Sequence, residues 1–188
     1  MAKRKHKTAY QKALEQIETE GKRQCTLLYG ATALALSRHW GKKQTAISRV
    51  FDISKDIWRE CAATNELSML EMCEDETGIE VQNGSGRSWH DLPYLNARLD
   101  PGRMSNAQWV YMRQQQIKWI APQVMACILL ALHRKYGFGY DRCVRIYAQV
   151  QEIREEYCHD AKLIKTACLE EVGINVIDVF TKDSGDTK

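Results

Sequence analysis

A chain of 188 residues with 44% hydrophobic and 27% charged residues fits one domain or two small ones of ordinary soluble composition. Its longest apolar run, VMACILLAL at 124–132, falls short of the roughly 20 residues of a membrane span, and its basic N-terminus lacks the apolar segment of a secretory signal. Seven cysteines with no CxxC pair argue against a disulfide framework or a zinc knuckle and for thiols in a reducing cytoplasm.

Net charge is only +3, but it is unevenly spread. Residues 1–64 carry 13 Lys or Arg against 6 Asp or Glu, whereas residues 65–81 carry six acids and no base. Residues 106–159 are basic again and residues 160–188 sum to −2. Such a distribution presents a positive face to nucleic acid or lets two parts of the chain attract one another.

Residues 1–7, MAKRKHK, read as a cationic tail. From Thr8 to His39 apolar residues recur at helical spacing through Ile17, Leu28 and Ala35, which predicts one long helix or two meeting near Gly21. Gly41 ends this stretch, as glycine just beyond a last turn does. A second helix is predicted from about Lys43 to Ala62, and a third, capped by Thr64 or Asn65, runs to Gly78. Ile79-Glu80-Val81 then reads as a short extended tail. Residues 82–105 hold Asn-Gly-Ser-Gly, Asp-Pro-Gly and Pro93 and form a linker. Ser105 with Gln108 resembles a capping box and opens a helix that Pro122 kinks or splits. Two more helices follow, from about Tyr140 to Cys158 and from Asp160 to about Val172, before a polar tail at 181–188.

The second part repeats the first. At a shift of 96, Leu34, Arg38, Trp40, Gly41, Arg49 and Phe51 fall on Leu130, Arg134, Tyr136, Gly137, Arg145 and Tyr147. At a shift of 95, Cys73, Glu76, Gly78, Ile79 and Val81 fall on Cys168, Glu171, Gly173, Ile174 and Val176. The expected fold is therefore mainly α, with two tandem, internally duplicated three-helix units at 8–81 and 106–180 and a short extended tail after each third helix.

Motifs of catalysis are missing. No GxxxxGK[ST] loop or strand-flanked GxGxxG occurs, and Cys158-His159-Asp160 are neighbours on a helix that point apart. The carboxylate pairs Asp75/Glu76 and Glu170/Glu171 read as solvated helix ends. No enzyme, cofactor or metal is expected. What remains is basic: Arg38, Lys42, Lys43 and Arg49 at the first helical corner, and Arg134, Lys135, Arg142 and Arg145 at the second. Cations at a turn and at the start of the next helix suit phosphate contact, although Arg stems also cover apolar surface for structural reasons. In the linker, Arg87, Trp89 and Tyr94 suit base stacking or partner binding, or anchor the linker to the units.

The run ALHRKYGFGYDRCVRIYAQVQEIREEY, followed by LEEVGI, resembles small helical accessory proteins of Firmicutes phages and prophages, in its apolar helix, its Y-G-F-G turn, its basic amphipathic helix and its closing E-E-x-G-I. The resemblance covers Ala131 to Ile174. The first unit departs from it, with Trp40-Gly41-Lys42-Lys43 at the turn. Some proteins of that kind are anti-CRISPR inhibitors of the Cas9 nuclease. The resemblance thus implies a non-enzymatic inhibitor in a bacterial host cytoplasm, with a Cas9–guide RNA complex as partner. The basic corners imply instead a protein that binds DNA or RNA directly. Neither reading involves a membrane, and both allow a homodimer.

Overall fold

The computed structural model describes residues 8–64, 68–83, 89 and 103–176. They form six helices: α1 (Ala9–Trp40), α2 (Gln44–Thr64), α3 (Ser68–Thr77), α4 (Asn106–Tyr136), α5 (Tyr140–Glu156) and α6 (Ala161–Val172).

Local chemistry sets the helix ends. Thr8 and Ser105 both form capping boxes: each side-chain oxygen accepts from the backbone N–H of the glutamine three residues on, and that glutamine accepts from the cap's own N–H. Two orphan donors are thereby satisfied at the start of each long helix. At the far ends, Gly41 and Gly137 take left-handed φ values of 59° and 62°, where a side chain would clash. Asp160 caps α6 by accepting from Lys162 and Leu163 N–H. Before it, Cys158 and His159 take left-handed φ values of 50° and 54°, so α5 stops at Glu156 instead of reaching Cys158. Of the two caps expected for α3, Thr64 is instead the last residue of α2, and Asn65 lies outside the described residues.

α1 and α4 are the centre of the molecule. Residues 27–36 of α1 and 122–132 of α4 are buried throughout, and a helix apolar on all sides needs neighbours on all sides. α1 packs against α4, α5 and α6, while α4 packs against α1, α2 and α3. Each long helix is therefore clothed mainly by the short helices of the other half of the chain. The two long helices run in the same direction. Gly21 meets Ile117 near their middles, and Trp40, the last residue of α1, meets Phe138 just beyond α4.

Two glycines that weaken the helical pattern in sequence are packing contacts. A Cβ on Gly30 would lie 2.3 Å from Ile164 Cγ2, and one on Gly21 would lie 2.8 Å from Ile117 Cδ1. Neighbouring helices approach closely at both positions, and α1 runs through them as one helix. Nor does Pro122 split α4, which continues from Asn106 to Tyr136. The expected extended tails neither pair as strands nor lie on the surface. Val81 is 2% exposed and Val176 is fully buried, and both join the core as irregular chain.

One further expectation changes. Among the described residues, α4 contains a window long and apolar enough to cross a membrane by composition. Two thirds of that window is buried inside the fold (67%), so its hydrophobicity is accounted for by the protein's own core.

Candidate nucleic-acid interface

The two helical corners, 96 residues apart in sequence, meet at one end of the molecule. Trp40 lies against Phe138 with ring centroids 4.8 Å apart, and its Nε1 donates to Gln149 Oε1 at 2.8 Å. The Tyr136 hydroxyl donates to the Ala46 carbonyl at 3.2 Å. Aromatic residues from both corners thus form a shared base. Over it stand cations: Lys42 Nζ is 5.1 Å from the Tyr136 ring centroid, and the Arg142 guanidinium is 5.9 Å from that of Phe138. Both distances suit cation–π attraction, which holds the side chains in place and leaves their donors to solvent.

Arg38 and Arg134 play a different part from the one their recurrence suggests. Arg38 donates to both carboxylate oxygens of Glu171 at 2.8 and 2.6 Å, to both of Glu156 at 3.2 and 3.0 Å, and to the Tyr157 hydroxyl at 2.7 Å. Arg134 donates from Nε to Glu76 at 2.9 Å and makes a second bond to the other carboxylate oxygen. Hydrogen bonding to Arg38 and to Arg134 holds the Glu171 and Glu76 carboxyls below their usual range, while the hydrogen bond to Glu171 raises the Arg38 guanidinium further. These arginines join the two halves of the chain and are not free for phosphate.

The other corner residues remain outside such pairs. Lys43, Arg49, Lys135 and Arg145 are exposed, and no carboxylate pairs with them among the described residues. Lys43 precedes α2, while Arg49 and Arg145 stand in the second turns of α2 and α5, and Lys135 is in the last turn of α4. In the linker, the Trp89 ring packs on the core and its Nε1 donates to Glu74 Oε2 at 3.1 Å, so this side chain anchors the linker. Arg87 and Tyr94 lie outside the described residues.

Sequence reasoning missed two contributors. Phe138, 3% exposed, supports both Trp40 and Arg142; its place in a Y-G-F-G turn between two helices was the available signal. The partners of Arg38 and Arg134 were missed as well. Recurrence of an arginine and of an opposite charge at nearly the same shift was the clue that they pair.

Burial pushes the Cys25, Cys73 and Cys168 thiols up to about 12 and Cys143 to about 11, so they stay protonated and unreactive. Among the described residues no group of three His, Cys, Asp or Glu is placed to hold a metal ion. No protein family, curated protein or solved structure matches this chain.

Proposed function

We propose that the chain is an internal duplication whose halves are interlocked, and that it acts as a non-enzymatic binding protein docking on nucleic acid through the end where its two corners meet. The duplication is supported by contacts that correspond under the sequence shifts. Arg38 pairs with Glu171 and Arg134 with Glu76: each arginine reaches the glutamate equivalent to the one its counterpart holds. Likewise Gln44 donates to the Gly173 carbonyl, and its equivalent Tyr140 lies on Gly78, the equivalent of Gly173. Gly21 and Ile117, equivalent to each other, touch.

The observation that carries the functional reading is the seating of Lys42 on Tyr136 and of Arg142 on Phe138, which merges the cations of two distant segments into one surface. Lys43, Arg49, Lys135 and Arg145 extend it. Such a surface binds phosphate by charge and without sequence preference.

The test is fluorescence anisotropy of labelled duplex DNA and RNA over a salt series. The intact protein is expected to lose affinity steeply as salt rises. Joint replacement of Lys42, Lys43, Arg142 and Arg145 by Glu is expected to weaken binding at least tenfold while thermal unfolding stays cooperative. Unchanged binding by that variant removes the reading. A second arm uses a Cas9–guide RNA complex, the partner that the phage-protein resemblance suggests. The exposed acids Glu71 and Asp75 on α3 suit a cationic nuclease groove, so retention on that complex without DNA affinity would favour the inhibitor.

A further inference from the structure

Midway along the two long helices, where α1, α4 and α5 meet the chain after α3, the fold leaves a cleft of about 640 Å³. That size is within the range of small-molecule sites. Leu28, Ile117 and Met125 line it with apolar surface, and Gln24, Gln151 and Arg154 line it with donors.

Arg154 is the unusual member. Its Nη1 donates to Gln151 Oε1 at 2.8 Å, but its Nε is buried without an acceptor, and no carboxylate pairs with it among the described residues. Desolvation lowers its proton affinity, as expected of a charge taken from water without a counter-ion. Glu20, the carboxylate lining the cleft, does not fill that role: Arg23 holds it at 2.7 and 2.8 Å and Gln24 at 2.7 Å. An amide therefore fixes the guanidinium in place, and among the described residues no carboxylate forms an ion pair with it.

The other half of the chain handles the same place differently. At the shift of 96, Arg154 corresponds to Trp58, Gln151 to Lys55 and Tyr147 to Phe51. Phe51 is buried edge-on against Tyr29, centroids 4.8 Å apart, and Trp58 packs on the core. Aromatic carbon stands in one half where the other has a guanidinium beside a cleft. This comparison rests on the duplication proposed above; the cleft and its arginine do not.

We propose that the cleft binds a small organic anion, with Arg154 taking the anionic group and Leu28, Ile117 and Met125 taking the apolar body. The experiment uses the full chain and two fluorescent probes of similar shape: anilinonaphthalene sulfonate, which is anionic, and N-phenyl-1-naphthylamine, which is neutral. Saturable binding of the sulfonate is expected. Arg154→Met is expected to weaken it about tenfold or more, as loss of a charge-assisted contact does, with the neutral probe little affected. Met125→Trp, which fills the cleft, is expected to abolish both. The variant with Glu at 42, 43, 142 and 145 is expected to keep full sulfonate affinity, which separates this site from the basic end. Equal sulfonate affinity in the intact protein and in Arg154→Met, each shown to be folded by circular dichroism, would overturn the proposal. So would the absence of saturable sulfonate binding by the intact protein.

Discussion

At Arg38 one guanidinium is shared among Glu171, Glu156 and the Tyr157 hydroxyl, with its side chain 28% exposed and that of Glu171 39% exposed. Exposure of that degree limits what the pair is worth, so Arg38→Met is expected to lower stability by only about 1 kcal/mol. Urea unfolding of Arg38→Met, Glu171→Gln and the double variant should show coupling between the two sites; strict additivity would mean that the pair contributes nothing. The pH dependence has a definite sign. Glu171 and Glu76 are held below the ordinary carboxyl value of 4.5 in the folded state. Their contribution is therefore present above pH 4.5 and is lost as pH falls through the lowered values. A variant carrying Met at both 38 and 134 should show a shallower loss of stability on acidification below that point than the intact protein. The cysteines divide in the same residue-by-residue way. Cys158 is exposed and the other six are wholly or largely covered, so one thiol per native chain should react quickly with a disulfide reagent near pH 8. The remaining six should react only on unfolding. Fast reaction of several thiols in the native protein would contradict the packing described.

At the scale of elements, much was legible because helix ends depend on local chemistry. Ser105 with Gln108, Gly41, Gly78 and Asp160 mark boundaries that the structure keeps. The failures came where distant packing overrode a local rule. Gly21 left open one long helix or two; α1 is one helix through both Gly21 and Gly30, where Ile117 and Ile164 sit too close to leave room for a side chain. Gly30→Ala should therefore be destabilising despite alanine's higher helix propensity, by about 1–3 kcal/mol, measurable as a lower midpoint of thermal unfolding. A rise in the midpoint would show that α6 does not press on α1 there. The tails after α3 and α6 misled for a related reason. Which side of an irregular segment is covered depends on a partner helix far away in sequence. Of the candidate site, the basic corners could be read in the sequence, but not that the two meet or that two of their arginines are paired across the halves.

At the scale of the whole molecule, the arrangement of partners matters more than any single contact. α1 relies on α5 and α6, and α4 on α2 and α3, so neither half holds its own long helix in a closed bundle. The same interlocking carries Trp40 to Phe138 and Lys42 to Tyr136, and thereby forms the basic end from two segments that lie far apart along the chain. The proposed function depends on that geometry. Separate polypeptides of residues 1–83 and 103–188 test it most directly, with helicity, unfolding cooperativity and DNA affinity measured for each alone and for the equimolar mixture. Each piece alone should lack a cooperative transition and bind DNA weakly, and mixing should restore both properties. If residues 1–83 alone unfold cooperatively and bind DNA as the intact chain does, the interlocked account is wrong.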